Sequence, residues 1–376
     1  MTANTTQTKA RRQARPRPEQ HRREQHRPEQ DSPEQHSPEQ RSPEQRSPEQ
    51  RSPEQRSPEQ GPERAWHDHR DLPIAGTQPR RSSSAGDVVL AHLRLQAHAL
   101  KSLEPMVRAD EFDAVHQMRV TTRRLRATLR SFGQVIPRSD TERLAAELKW
   151  LGGLLGAARD GEVLPAHLQA SLRLVPVELL IGPIQARVQG HFAPLRAAAR
   201  VELIEALDSP RYAALLAALD QLALGPLLAG PQAGDPARDV LPAAVRRAYQ
   251  QADKRMRRAR HTSPGQGRDA ALHQARKSAR RARYAAEAAS PPIGKKARRF
   301  AKQMKKVQSV LGDHQDTVLA RQAARNLGIG AHLAGENAFT YGLLYEREAH
   351  QAQRLQADAR KTWKRASRSR YRTWIK

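Results

Sequence analysis

Two segments of the chain carry a histidine followed by arginines at regular intervals. The first, Ala114–Phe132, reads AVHQMRVTTRRLRATLRSF, and the second, Leu272–Glu287, reads LHQARKSARRARYAAE. When His116 is aligned with His273, five further positions are identical. These are Gln117 with Gln274, Arg119 with Arg276, Arg123 with Arg280, Arg124 with Arg281, and Arg126 with Arg283. Two copies of one basic segment predict an internally duplicated fold.

Both segments have the 3.6-residue period of an amphipathic helix, with one apolar stripe and one cationic stripe beside it. No acidic residue occurs between Val115 and Gly133, so the arginines there have no carboxylate partner nearby in the sequence. Guanidinium groups repeated once per turn suit a ligand with several negative charges. The cationic stripes comprise His116, Arg119, Arg123, Arg126 and Arg130 in the first copy, and His273, Arg276, Arg280 and Arg283 in the second.

The charge of the chain also points to a polyanionic partner. The 376 residues carry a formal net charge of +27. The stretch after residue 236 holds 33 Lys+Arg against 10 Asp+Glu, which accounts for +23 of that total. A field this one-sided attracts polyanions without identifying them. The chain has no cysteine, which excludes disulfides and thiolate chemistry.

The pattern from Asp87 onward is helical, and no segment reads convincingly as a strand. We expect an all-α domain over 87–376, with a first half at 87–225, a linker at 226–236 and a second half at 237–376. Residues 1–86 contain RSPEQ repeats and are predicted to be a disordered tail, because proline recurs and apolar residues are scarce. The sequence shows no secretory signal and no membrane-spanning run, so a cytoplasmic protein is expected.

A second repeated element supports the duplication. LKWLGGLLGAARD at Leu148–Asp160 matches MKKVQSVLGDHQD at Met304–Asp316, which pairs Lys149 with Lys305. Gly156 and Gly312 are predicted to end their helices. Asp160 and Asp316 are then expected to begin the next helices, as caps or arginine partners rather than catalytic acids. Asp87 is the predicted N-cap of the first helix.

Further cations are candidates for the same ligand. The segment after Gly294 places Arg298, Lys302, Lys305 and Lys306 on one helical face. Two more histidines, His191 and His350, are each followed by an arginine, Arg196 and Arg354.

The histidines admit three roles: hydrogen bonding at the edge of a groove, direct contact with phosphate, and binding of metal or a phosphoryl group. His116 and His273 lack a second metal ligand at a productive spacing, and there is no cysteine. We therefore predict no metal and no cofactor.

In these ordered features the sequence resembles the CHAD family, the conserved histidine α-helical domain. The resemblance spans about Asp87 to Lys376 and rests on VHQMRVTTRRLR, LGAARD, LDSPRY, LHQARKSARRARY and VLGDHQD. It implies two pseudo-symmetric helical-bundle halves around a basic groove or channel that binds inorganic polyphosphate, and association with polyphosphate granules without catalysis. Some relatives carry a triphosphate-processing domain with an ExExK strand, and this motif is absent here.

Two other functions stay open at this point. The first is nucleic-acid binding, suggested by the net charge and by the C-terminal basic segment with Trp363, Tyr371 and Trp374. The second is a histidine-dependent phosphotransferase or polyphosphate hydrolase acting through His116 and His273. The sequence leaves the oligomeric state open.

Overall fold

The computed structural model describes residues 82–224 and 230–375, which belong to one compact unit. Within these ranges the secondary structure is helical and no strand forms, which confirms the predicted all-α class. The predicted disorder of 1–86 falls almost wholly on residues outside these ranges, and so does part of the predicted linker.

In the first half, residues 82–224 form five α-helices, and the first of them begins at Ala85. A short 3-10 helix, Val177–Leu179, lies between the third and the fourth. The five are α1 (Ala85–Arg108), α2 (Ala114–Ser131), α3 (Arg138–Leu172), α4 (Ile184–Asp208) and α5 (Pro210–Leu224).

The second half also consists of helices, with α9 longer than any other described helix. They are α6 (Ala237–His261), α7 (Gln266–Ala288), the single turn α8 (Ser290–Ile293), α9 (Lys295–Leu333) and α10 (Phe339–Ala366). Two 3-10 turns, Ser369–Tyr371 and Thr373–Ile375, follow α10.

The two halves repeat one order of packing. Helix α1 packs on α2, α2 on α3 and α3 on α4, and in the same way α6 packs on α7, α7 on α9 and α9 on α10. Between the halves, α2 contacts α7, α1 contacts α6 and α3 contacts α9. The duplicated basic segments are therefore neighbours in the fold.

The predicted helix ends at Gly156 and Gly312 are wrong. Helices α3 and α9 run through both glycines, and Asp160 and Asp316 lie inside these helices rather than at N-caps. A glycine inside a helix costs about 1 kcal/mol relative to alanine, so the presence of glycine at these two positions requires a separate explanation. The explanation is that an arginine side chain lies directly against each glycine. A Cβ at Gly156 would lie 3.4 Å from Nη2 of Arg119, and a Cβ at Gly312 would lie 3.2 Å from Nη2 of Arg276.

The start of α1 also differs from the prediction. Ser84, not Asp87, is the N-cap: its hydroxyl accepts from the Asp87 N–H, and the Asp87 carboxylate accepts from the Ser84 N–H, which completes a capping box. The backbone N–H groups of Ala85 and Gly86 donate to the carbonyls of Asp235 and Ala233. The beginnings of the two halves are thus tied together.

Two clusters of buried apolar side chains hold the described helices together. The larger cluster contains residues of both halves, including Met118 and Leu125 of α2 and Ala275, Ala279 and Ala282 of α7. The smaller cluster lies where the second parts of α3 and α9 meet the first parts of α4 and α10. The larger cluster therefore joins the two halves in one buried core.

Candidate functional site

The contact between α2 and α7 brings the arginines of the two copies together. Arg123 lies at the centre of this group: its pKa is lowered to about 9, mainly by burial and in addition by the positive charges of Arg280, Arg119 and Arg276. Burial likewise lowers the pKa of Arg280 to about 10, with Arg276, Arg119 and Arg126 acting in the same direction. We call Arg119, Arg123, Arg126, Arg276 and Arg280 the arginine cluster.

The two central arginines are not compensated by carboxylates. Among the described residues, neither Arg123 nor Arg280 forms an ion pair. Both guanidinium groups stay charged at neutral pH, so their lowered pKa values reflect a cost of keeping positive charge in a partly buried place. A polyanion placed against them would offset that cost with charge-assisted hydrogen bonds.

A cleft opens beside one end of the arginine cluster. It has a volume of about 440 Å³ and is lined by Arg130, Arg247, Arg281 and Gln134, among others. Burial lowers the pKa of Arg126, and the charges of Arg130 and Arg281 contribute to this shift. The cationic surface therefore continues from the α2–α7 contact into the cleft.

Acidic residues lie at the opposite end of the cluster. Nη1 of Arg119 donates to Oδ1 of Asp160 at 3.0 Å. Burial raises the pKa of Asp316 and of Asp313, although the charge of Arg276 opposes this in both. The predicted arginine partner of Asp160 is confirmed, and the acids mark where the cationic surface ends.

The two histidines at the start of the copies lie beside this cluster. Nδ1 of His273 is 2.6 Å from Oε1 of Gln315. Burial lowers the pKa of His273, Gln315 opposes the shift, and the charges of Lys277, Arg276 and Arg280 reinforce it. His273 is therefore neutral at pH 7 and holds a hydrogen bond at the edge of the cluster. His116 is half-buried at the matching position of α2.

Arg283 has a different environment from the other predicted arginines. It is 7% exposed, and its Nε donates to Oε1 of Glu287 at 2.6 Å. Glu287 also pairs with Arg124 of α2, at 3.5 Å. Half-buried His92 lies close by with its Nε2 out of contact with solvent, and burial, followed by the charge of Arg124, lowers its pKa to about 4. The sequence placed Arg283 in the cationic stripe, but its side chain helps to join α7 to α2.

The remaining predicted cations are spread over α3 and α9. Lys305 is half-buried. Four others are exposed: Lys149, Arg298, Lys302 and Lys306.

The second predicted group lies on α4 and α10. His191 is exposed and packs edge-on against Phe192, with ring centroids 4.8 Å apart. Nε2 of His350 lies 3.0 Å from Oε1 of Glu346. Arg354 donates to Gln351, and Arg196 lies 4.0 Å from Asp110. None of these contacts reaches α2 or α7.

Several residues in and around this region have roles that the sequence alone does not predict. Arg247 lies in a run of basic residues on α6, whose periodicity could have identified it. Gln315 and Asp313 gave no such signal, because their importance depends on which residues of α7 they face. Glu348 is 2% exposed and accepts hydrogen bonds from Ser171 at 2.5 Å and from His167 at 3.0 Å, which joins α10 to α3.

Across residues 82–224 and 230–375, no group of three or more His, Asp or Glu side chains is arranged to hold a metal ion. In the same ranges no helix is long and apolar enough to cross a membrane.

Comparisons with known proteins agree with the resemblance found in the sequence. The family model for the CHAD domain matches residues 91–325. Two uncharacterized proteins, from two strains of Mycobacterium tuberculosis, are each 37% identical over 300 residues, which is 78% of this chain. The chain spans only 57% of the length of these relatives.

Two solved structures are similar in fold. A CHAD domain from the plant Ricinus communis has a TM-score of 0.59 at 29% identity, covering 78% of this chain and 96% of that one. PptA from Streptomyces chartreusis has a TM-score of 0.62 at 23% identity, covering 75% of this chain and 100% of its own.

Proposed function

Because the chain belongs to the CHAD domain family, we propose that it binds inorganic polyphosphate through the surface where α2 meets α7, without chemistry of its own. The observation that carries this proposal is the arginine cluster, in which Arg123 and Arg280 are partly buried beside other cations. Such an arrangement is costly unless a ligand supplies negative charge. The ligand class follows from the family.

The cluster and the neighbouring cleft suit a linear polyanion better than a single phosphate. On an α-helix, Arg119 and Arg130 are separated by roughly 16 Å, with a cation almost every turn. A phosphate chain lying along α2 could therefore engage Arg119, Arg123 and Arg126 in turn, and α7 would supply Arg276 and Arg280 from the other side. In this proposal the two halves are pseudo-symmetric walls of one groove.

Nucleic acid fits this surface less well. Binding of single strands relies on exposed aromatic rings that stack on bases. Trp363 is 6% exposed and stacks on Tyr249, with ring centroids 5.8 Å apart, while Trp374 packs edge-on against Phe300. These rings of the C-terminal segment thus stabilise the fold.

A competition titration tests the proposal. The full chain is titrated with long-chain polyphosphate and with double-stranded DNA of matched total charge, at about 0.15 M salt, where non-specific DNA contacts are strongly screened. We expect polyphosphate to bind at least tenfold more tightly. The Arg123→Gln/Arg280→Gln variant should lose most of this preference. Equal binding of both polymers would instead favour a general polyanion-binding protein.

The proposal includes association with polyphosphate granules and the absence of catalysis. Purified protein incubated with polyphosphate, with and without Mg²⁺, should leave its chain length unchanged. Phosphate release that is lost in His116→Ala and His273→Ala would establish an enzyme instead. Localisation of a fluorescent fusion in polyphosphate-accumulating cells, compared with the Arg123→Gln/Arg280→Gln variant, tests the association with granules.

A further inference from the structure

A second cationic cavity lies between α6 and α10. It has a volume of about 630 Å³, within the range of small-molecule sites. Each helix contributes one face: Met256, Arg257 and Arg260 from α6, and Arg360, Trp363 and Lys364 from α10. None of these residues belongs to the arginine cluster or to the cleft that continues it.

The charge of this cavity is largely uncompensated. Asp253 pairs with Arg257. Within the described ranges, Arg260, Arg360 and Lys364 form no ion pair, and all three are exposed. Arg260 and Arg360 also line a small cleft that extends the cavity toward α7, so these two cations lie on the same side of it. The rim therefore offers at least three available positive charges.

The floor of the cavity is apolar and firmly held. Met256 is 1% exposed and Trp363 is 6% exposed. Trp363 stacks on Tyr249, which itself packs against Phe300 and lies beneath the guanidinium of Arg372 at 5.0 Å. Because Tyr249 and its neighbours support Trp363 from behind, the indole ring is held in place. The cavity therefore has a preformed apolar surface below a cationic rim.

We propose that this cavity binds a small organic polyphosphate, a molecule with two or more phosphate groups joined to an apolar or flat group. The phosphates would contact Arg260, Arg360 and Lys364, and the organic group would rest on Met256 and Trp363. An inorganic polyphosphate has no apolar part and gains nothing from that floor. The combination of rim and floor therefore selects a different ligand from that of the arginine cluster.

The probes are ATP and inorganic tripolyphosphate in the presence of EDTA, since they have similar charge and differ in the organic group. Binding is followed by calorimetry and by tryptophan fluorescence in the full chain carrying Arg123→Gln/Arg280→Gln, so that tripolyphosphate bound at the arginine cluster does not enter the comparison. We expect ATP to bind about tenfold more tightly than tripolyphosphate, a difference of about 1.4 kcal/mol. The ATP-dependent fluorescence change should disappear in Trp363→Phe.

Two double variants locate the site. Arg360→Gln/Lys364→Gln should weaken ATP binding about tenfold or more and leave affinity for long-chain polyphosphate within twofold. The control, Lys361→Gln/Arg365→Gln, removes the same charge from exposed positions of α10 that do not line the cavity, and should preserve ATP binding.

Three results would overturn the proposal. They are equal affinity for ATP and tripolyphosphate, unchanged ATP binding in Arg360→Gln/Lys364→Gln, and an equal loss of polyphosphate binding in that variant. The last result would show that the cavity is part of the surface that binds long-chain polyphosphate. Failure of polyphosphate binding in the wild type would refute the proposed function and leave the ATP comparison intact.

Discussion

Nε of Arg124 in α2 lies 3.5 Å from Oε2 of Glu287 in α7, so an ion pair joins the two copies of the duplicated basic helix. Glu287 also accepts from Arg283, and the three side chains are 15%, 25% and 9% exposed. The residue of the first copy that matches Glu287 is Arg130. The two copies have thus diverged at one position, and the carboxylate there holds them together.

Glu287→Gln should destabilise the fold, because it leaves Arg124 and Arg283 mostly buried without a countercharge. We expect a loss of roughly 2 to 3 kcal/mol, somewhat below the value for a fully buried pair. Chemical denaturation measures it. The matched control is Glu346→Gln, which breaks a pair whose side chains are more than 60% exposed and should cost less than about 1 kcal/mol.

Gly312→Ala should separate stability from binding. Alanine favours the helix by up to about 1 kcal/mol, so the melting temperature should not fall. The new Cβ would lie 3.2 Å from Nη2 of Arg276 and should push that guanidinium aside. We expect polyphosphate affinity to drop about two- to threefold, a change of roughly 0.5 kcal/mol.

Gly153→Ala is the control for this prediction, because a Cβ at Gly153 meets nothing within 4 Å. It should stabilise α3 without affecting affinity. Equal affinities in the two variants would show that the position of Arg276 does not matter for binding.

Arg123→Met should raise the stability of the free protein and lower its affinity for polyphosphate. The pKa of Arg123 is lowered mainly by burial, so folding disfavours its charge, and an apolar side chain of similar length removes that cost. We expect a melting temperature about 2 to 4 °C higher and an affinity about tenfold lower. Arg325→Met, at an exposed site on α9, should change neither by a comparable amount.

The His167–Glu348 pair predicts a pH dependence of stability. The hydrogen bond with Glu348 raises the pKa of His167 above 6.5, so its contribution is complete below pH 6.5 and is lost as pH rises through the raised value. Burial alone would raise the pKa of Glu348, but His167 and Ser171 hold it below 4.5. The contribution of Glu348 is therefore lost only as pH falls through that lowered value.

Melting temperatures of the wild type and His167→Gln, measured from pH 4 to 9, check this prediction. The difference between them should be largest at about pH 5 to 6 and should shrink above neutrality. A difference that is constant with pH would mean that His167 contributes by packing alone.

The sequence by itself determined the helical class, the duplication and the identity of the arginines that gather between α2 and α7. It could do so because helical periodicity and a repeated pattern of charge are local properties.

Only the tertiary structure decided which arginines are compensated. Arg119, Arg124 and Arg283 meet carboxylates, and Arg123 and Arg280 do not, because the acids come from helices distant in sequence or from one diverged position. In the sequence, Gly156 and Gly312 are typical of helix ends. Only the structure shows that they lie inside α3 and α9, against the side chains of Arg119 and Arg276. A side chain's charge can be read from the sequence, but the cost of that charge depends on burial and on neighbours that only the fold supplies.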